Sequence, residues 1–124
     1  MRIIVFGNPD LSFDSLPLRI LPRLEKRFPK ADFRVKDPNE EWNLDGDFLI
    51  LDTVEGIEQT KLFSDLKAFL PAPRLTLHDF DAYANLRFLE KLGKLPKFNI
   101  LAVPPSFSED RAFETVSALL EAFM

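Results

Sequence analysis

The sequence predicts an α/β domain in which a five-stranded, mostly parallel sheet lies between two layers of helices, and three observations support this. Apolar segments typical of strands alternate along the chain with segments of helical spacing, as in α/β proteins. One of them, Phe48–Leu51, contains no polar residue and runs into Asp52, as expected of a strand buried on both faces of a parallel sheet. The 124 residues, 46% of them hydrophobic, are enough for a single domain over residues 1–124.

The N-terminal residues predict a strand and then a helix. Residues 2–6 are rich in β-branched and apolar side chains and end at Gly7, which predicts a buried strand followed by a loop. One helical face is formed by residues that recur every fourth position, namely Leu16, Ile20, Leu24 and Phe28. Because a proline deep inside a helix costs roughly 3 kcal/mol, Pro22 leads us to place the regular start of this helix at about residues 18 to 21.

Two further strands are predicted before Gly56. Phe33 and Val35 alternate with polar residues, which is typical of a short strand at the edge of a sheet. Residues 39–46 have no clear period and form a long connection or a short helix. The run that ends at Asp52 is the central strand, and it brings this acid to the edge at which parallel strands end.

The segment between Gly56 and Gly93 predicts a helix, a fourth strand and another helix. The first of these helices ends at the prolines of residues 71–73. Its apolar face is formed by Ile57, Leu62, Phe63, Leu66, Phe69 and Leu70. Residues 74–78 alternate as the fourth strand, and residues 80–92 have helical spacing and end at Gly93.

The C-terminal residues predict the fifth strand and the last helix. Phe98–Val103 is mostly apolar and ends at two prolines, which predicts the fifth strand. Ser108 is a favourable first residue for a helix. The apolar residues that follow at helical spacing are Phe113, Val116, Leu119, Leu120 and Phe123.

Composition and missing motifs exclude several classes of function. The formal net charge is −4 and no cluster of Lys and Arg occurs, which argues against nucleic-acid binding. The chain has no cysteine, so disulfides, thiolate metal sites and cysteine nucleophiles are excluded. It contains neither a glycine-rich phosphate loop nor a nucleophile elbow. No apolar run approaches the length of a membrane helix, and we expect a cytoplasmic protein with no membrane insertion.

Three residues that can bind metal ions lie just beyond predicted strands: Asp14 after the first, Asp52 after the third and His78 after the fourth. Ligands of α/β proteins bind in the crevice beyond the carboxyl ends of the strands, so these residues form the candidate site. Two carboxylates and an imidazole could hold a divalent metal ion and leave positions open for substrate. Structural alternatives remain open, because Asp14 could cap a helix, Asp52 could fix a loop and His78 could have a structural role.

Several segments together carry a resemblance to a known family. Residues 1–8 end in a Gly-Asn pair, and Asp14 precedes the Leu-Arg-Ile of residues 18–20. The central strand ends in Asp52. Downstream, residues 77–80 read Leu-His-Asp-Phe and include His78, and residues 93–96 form a Gly-x-x-Pro loop. Residues 99–103 are a predicted strand, and residues 104–106 are a Pro-Pro-Ser turn. In this order and spacing the chain resembles the nickel-iron hydrogenase maturation endopeptidases over nearly its whole length.

The resemblance implies a fold, an activity and a partner. Its fold is phosphorylase/hydrolase-like, with a mixed five-stranded sheet whose fourth strand is antiparallel to the others. Members of the family remove the C-terminal extension of the hydrogenase large-subunit precursor after nickel has been inserted. By this resemblance Asp14, Asp52 and His78 would be both the catalytic and the metal-binding residues. The nickel would arrive with the substrate, no organic cofactor would be needed, and the protein would act as a monomer.

Two segments depart from the family pattern and leave other functions open. The first ligand position is usually glutamate in the family, and here it is Asp14. After the second strand the family has residues of the Asp-Gly-Gly-Thr type, and here residues 37–42 read Asp-Pro-Asn-Glu-Glu-Trp. One alternative is therefore a binding module that recognises the large subunit without cutting it. Another is an unrelated small α/β domain without metal or hydrogenase partner.

Overall fold

The structure is a computed structural model, and it describes residues 2–7, 15–36, 48–54, 57–63 and 98–123. These residues form five strands and two helices. The strands are β1 (Arg2–Val5), β2 (Asp32–Val35), β3 (Phe48–Thr53), β4 (Lys61–Phe63) and β5 (Phe98–Val103). The helices are α1 (Leu16–Arg27) and α2 (Glu109–Phe123). Neither of these helices has the length and apolar composition needed to cross a membrane.

The five strands form one mixed sheet in the order β2-β1-β3-β5-β4. Strands β1, β2, β3 and β5 are parallel to one another, and β4 is antiparallel to β5. β3 therefore occupies the centre of the sheet, as its uninterrupted apolar sequence predicted. The α/β fold class with a mostly parallel, five-stranded mixed sheet is confirmed. Its antiparallel strand is β4 at Lys61–Phe63, whereas the fourth strand was predicted at residues 74–78, which lie outside the described residues.

Both faces of the sheet are buried, which explains why β3 has no alternating polar residues. All six residues of β3 are buried. One face packs against α1 and α2, and the sheet residues that line this core are Ile3, Val5, Leu49, Leu51, Leu101 and Val103. The other face is equally inaccessible: Phe6, Ile50 and Ile100 have no exposed surface. Burial on both faces is what a sheet between two layers requires.

Helices α1 and α2 lie side by side on the same face of the sheet and run in the same direction. Three arginines on one side of α1 make ion pairs with three acids of α2. In chain order the pairs are Arg19–Glu109 (3.2 Å), Arg23–Asp110 (2.8 Å) and Arg27–Glu121. The first pair joins the N-terminal halves of α1 and α2, and the third joins their C-terminal halves. The two helices are therefore parallel. The paired side chains are between 43% and 85% exposed, so each pair contributes only about 0–1 kcal/mol.

The first helix starts earlier than the sequence indicated. We placed its regular start at residues 18 to 21, but α1 begins at Leu16 and contains Pro22. Leu16 has no exposed surface, and burying such a side chain is worth about 1.5–3 kcal/mol, which offsets much of the cost of the proline. Pro17 occupies the first turn, where a missing N–H is harmless.

Replacing Pro22 by alanine is therefore expected to stabilise the protein. Pro22 is exposed, so alanine loses little buried surface, and it restores the N–H that can bond to the Leu18 carbonyl. Alanine gains roughly 3 kcal/mol over proline inside a helix, but up to about 1 kcal/mol is lost because the unfolded chain becomes more flexible. We therefore expect the free energy of unfolding, measured by urea denaturation, to rise by about 2 kcal/mol. Pro29→Ala, in the exposed turn after α1, is the control and should not stabilise. An unchanged or lower stability of Pro22→Ala would contradict the explanation.

The prediction of a helix directly after Gly56 is wrong for residues 61–63, because these residues form strand β4. Leu62 and Phe63 were assigned to a helical face, but they pair with Leu101 and Ile100 of β5. A strand of three residues is too short to show the alternation of apolar and polar residues that marks a strand. The helical spacing of the apolar residues that follow in the sequence therefore favours a helix for the whole segment. Thr60 is tied to α2 through a 2.8 Å hydrogen bond between its hydroxyl and that of Thr115. The strand predicted at residues 74–78 and the helix predicted at 80–92 lie outside the described residues.

The C-terminal elements agree with the sequence. β5 covers Phe98–Val103 as predicted. The backbone N–H of Arg111 donates to Ser108 Oγ at 3.1 Å, which is the capping bond expected of a serine just before a helix. Val116 and Leu120 of α2 are buried against the sheet, as the apolar spacing predicted.

Strand β2 lies at one edge of the sheet, as its alternating pattern predicted, and it carries a pair of opposite charges. Arg34 Nε donates to Asp32 Oδ2 at 3.0 Å. This bond holds the pKa of Asp32 below its ordinary value of 3.8, and the positive charge of Arg34 lowers it further. A carboxyl whose pKa is lowered on folding stabilises the fold above its unfolded pKa, and this stabilisation is lost as the pH falls through the folded pKa.

Removing the cation should therefore return Asp32 to ordinary behaviour. We expect Arg34→Met to raise the pKa of Asp32 towards 3.8, because its hydrogen-bond donor and main charge partner are lost. Carbon-detected NMR titration of the Asp32 carboxyl in both proteins measures this shift. The same pKa in both would show that Arg34 is not the cause.

Candidate functional site

Asp52 is the predicted site residue that lies within the described residues. It is next to the last residue of β3, at the carboxyl edge of the sheet's central strand, and it has no exposed surface. Its Oδ1 accepts a hydrogen bond from the backbone N–H of Thr53 at 2.9 Å. A buried carboxylate is costly unless it is hydrogen-bonded or compensated by positive charge. Its place at the carboxyl end of the central strand is the predicted one, at the edge where ligands of α/β proteins bind.

The neighbours of Asp52 in the sheet follow from strand register. Asp52 is paired with Ala102 of β5. On the other side the N–H of Phe6 donates to the carbonyl of Leu51 at 3.0 Å, which continues the pairing of β1 with β3 and places Phe6 beside Asp52. All three lie on the face opposite to α1 and α2 and have no exposed surface. Phe6 and Ala102 are thus the neighbours of Asp52 on its two sides in the sheet.

Surroundings of this kind suit a carboxylate that binds a cation. Exclusion from water strengthens the attraction between a carboxylate and a positive charge, and carboxylate oxygens are good ligands for divalent ions. The Thr53 N–H fixes one oxygen, which orients the carboxyl group as outer hydrogen bonds orient metal ligands. Among the described residues no three acids or histidines are grouped so that they could hold a metal ion by themselves.

The other two predicted site residues, Asp14 and His78, lie outside the described residues. The residue at the N-cap position of α1 is Ser15, and its hydroxyl makes no capping bond to the helix backbone. Ser15 Oγ instead accepts a hydrogen bond from Arg19 Nε at 3.1 Å. Ser15 thus occupies the N-cap position without capping the helix through its side chain, and the capping alternative for Asp14 lies outside the described residues.

Two residues of the site were missed in the sequence. Phe6 and Ala102 were assigned to strands, but not to the neighbourhood of Asp52. The alternation of each strand could have placed them on one face, since Asp52 and Ala102 each directly precede the last residue of their strand and Phe6 directly follows the last residue of β1. Alternation alone is not sufficient to find these neighbours, because it does not give the order of the strands in the sheet.

Comparison with known proteins gives one informative likeness. The sequence matches no family model, and it matches no curated protein sequence significantly. The structure is similar to that of the hydrogenase maturating endopeptidase HybD from E. coli, with a TM-score of 0.67 and 19% identity. The alignment covers 98% of this chain and 94% of the endopeptidase. The two chains share one fold. At this identity the likeness establishes the fold, and it confirms the fold that the family resemblance implied.

Proposed function

We propose that the protein is an endopeptidase that removes the C-terminal extension of a nickel-loaded hydrogenase large-subunit precursor. The observation that carries the proposal is Asp52, a fully buried carboxylate at the end of the central strand of a sheet that has the fold of such an endopeptidase. The chain-wide sequence resemblance supports the same activity. The precursor is then the protein's partner, and we propose that the enzyme meets it in the cytoplasm as a monomer.

In this proposal the metal is part of the substrate. Asp14, Asp52 and His78 contact the nickel that the precursor carries, so the enzyme acts only on a precursor that has received its metal. A divalent ion held by two carboxylates and an imidazole can polarise a peptide carbonyl or lower the pKa of a bound water. The contribution of the protein is to present the carboxylate of Asp52 in one orientation, held by the Thr53 N–H, on the central strand of the sheet.

The proposal is tested by incubating the purified protein with the precursor, prepared with and without nickel, and weighing the products by mass spectrometry. We expect the C-terminal extension to be lost from the nickel-loaded precursor and to stay on the metal-free one. No cleavage of the nickel-loaded precursor would overturn the proposed activity. Equal cleavage of the nickel-loaded and the metal-free precursor would overturn nickel recognition but would still support the proposed protease activity.

A second function is favoured by the sequence of residues 37–42, which differs from the Asp-Gly-Gly-Thr type of the endopeptidases. The protein would then bind the large subunit without cutting it. Intact binding of the precursor with no cleavage by the native protein, and with the same affinity in Asp52→Ala, would identify this binding module.

A further inference from the structure

The outer side of strand β2 carries backbone groups that the sheet does not use. β2 pairs with β1 on one side, and no described strand lies on its other side. The N–H of Lys36 donates to the carbonyl of Val5 at 3.1 Å, so the backbone groups of Lys36 point to β1. Because these groups alternate in direction along a strand, those of Arg34 also point to β1 and those of Phe33 and Val35 point outwards. Among the described residues, nothing beyond β1 bonds to the backbone of Phe33 or Val35.

This outer edge is open to solvent and lacks the usual protection against another chain. Val35 is 50% exposed, and the side chains of Arg34 and Asp32 are 45% and 51% exposed. Exposed edge strands are commonly protected by an uncompensated charge, a proline or a bulge. β2 contains no proline, and its pairing with β1 is regular. Its two charges form an ion pair at 3.0 Å, so they compensate each other.

Such an edge fits an extended peptide segment. A peptide that adds to a sheet as a further strand gains backbone hydrogen bonds whatever its sequence, and contacts of its alternate side chains supply specificity. Phe33 and Val35 project to the helix-covered face, where Phe33 packs partly against the core, and Asp32 and Arg34 project to the other. An added strand with apolar residues at alternate positions would therefore cover the exposed Val35.

The edge of β2 is also continuous with the candidate site. β1, β2 and β3 are parallel, so β2 ends at the same edge of the sheet as Asp52. Strands are about 4.8 Å apart, so a strand added outside β2 would lie three spacings, roughly 14 Å, from β3. An extended chain covers about 3.3 Å per residue, so about four or five residues span this distance. One peptide can therefore reach both places.

We propose that the C-terminal extension of the precursor binds as an additional strand along the outer edge of β2, antiparallel to it. This inference rests on the proposed function, because it takes the extension to be the segment that leads away from the site at Asp52. A chain that comes from that edge and follows β2 runs towards the beginning of the strand, which makes the pairing antiparallel. Its backbone bonds with Phe33 and Val35, so the edge recognises an extended segment with an apolar residue beside Val35.

The direct test is amide hydrogen exchange of the native protein, measured by NMR with and without an excess of the nickel-loaded precursor. We expect the amides of Phe33 and Val35 to exchange at least about tenfold more slowly in the complex, because their outward N–H groups become hydrogen-bonded. The amide of Arg34 points to β1 and serves as the internal control, with little change expected. The mature large subunit, which lacks the extension, should not slow the exchange of Phe33 or Val35.

A pair of substitutions at one position tests the same bonds through affinity. Val35→Pro removes an outward N–H and no bond to β1, and proline is tolerated in edge strands in this orientation. We expect it to weaken precursor binding in calorimetry about tenfold. It should raise KM with little change in kcat, because the lost bond is far from the cleaved one. Val35→Thr keeps the N–H and the branched shape and should retain most of the affinity. Thermal unfolding of both variants shows whether the fold is kept.

The outcomes separate this inference from the proposed function. Unchanged exchange of Phe33 and Val35 in a complex that forms would overturn the docking, even if the native protein cleaves the precursor. Slower exchange in a complex that is not cleaved would support the docking and overturn the endopeptidase activity. Exchange that slows with rising concentration of the protein alone would identify a second copy as the occupant and overturn the assignment to the extension. A native protein that does not bind the precursor would overturn both proposals.

Discussion

Asp52→Asn is expected to lower kcat/KM for precursor cleavage at least about 100-fold, because loss of a group that merely supports a metal ligand already costs 10–100-fold. The amide has the shape of the carboxyl group and can still accept the bond from the Thr53 N–H. It is neutral, however, and cannot balance the charge of a divalent ion. Single-turnover cleavage of the nickel-loaded precursor, followed by mass spectrometry, measures the effect.

The control for this substitution is Asp110→Asn. Asp110 is an exposed acid of α2 that pairs with Arg23, so its loss removes one negative charge without touching the site. We expect its cleavage rate to stay within about twofold of the native rate and its stability to change by no more than about 1 kcal/mol. Native-like cleavage by Asp52→Asn would remove Asp52 from the proposed machinery. Thermal unfolding of both variants shows whether a lost activity reflects a lost fold.

The elements that could be predicted are those whose sequence pattern and burial agree. Residues 48–51 of β3 and 100–103 of β5 are apolar runs that are buried on both faces, and α2 has an apolar spacing and a capping serine. The alternation in β2 marked an edge strand, and Val35 is indeed 50% exposed. In these segments local preference and tertiary packing favour the same structure, which is why the sequence was sufficient.

Prediction failed where tertiary contacts decided the local structure. Pro22 opposes a helix locally, but the burial of Leu16 against the sheet extends α1 past it in the N-terminal direction. The three residues of β4 have no pattern of their own, and they are a strand because β5 offers them hydrogen bonds. Leu62 remains 38% exposed there, so its apolar character carried little information about burial.

The same distinction holds for the candidate site. The position of Asp52 at the carboxyl end of a buried strand could be predicted from the sequence, because the apolar run that leads to it marks that strand. Its neighbours in the sheet are Ala102 of β5 and Phe6, which directly follows β1, and their proximity to Asp52 depends on strand order and register. Those are properties of the assembled sheet, so a sequence pattern within one strand does not contain them.

Leu49→Ala is expected to have the largest effect on stability. Leu49 lies in the middle of the sheet with no exposed surface, and it belongs to the core between β3 and the two helices. Removing its branched end leaves a cavity that strands on both sides prevent from closing. We expect the free energy of unfolding to fall by about 3–4 kcal/mol in urea denaturation, within the 2–5 kcal/mol range for such core substitutions.

Leu62→Ala is the matched control, since it makes the same chemical change in β4 at a residue that is 38% exposed, and we expect a loss below about 1 kcal/mol. Equal losses in the two variants would show that β3 is not the packed centre of the sheet.

Leu49→Ala and Asp52→Asn together separate the effects on folding from the effects on function within one strand. Leu49→Ala should lose stability and keep its activity per folded molecule, whereas Asp52→Asn should lose activity and keep its fold. That difference is expected because the two side chains project from β3 to opposite faces, Leu49 into the helix-covered core and Asp52 away from it.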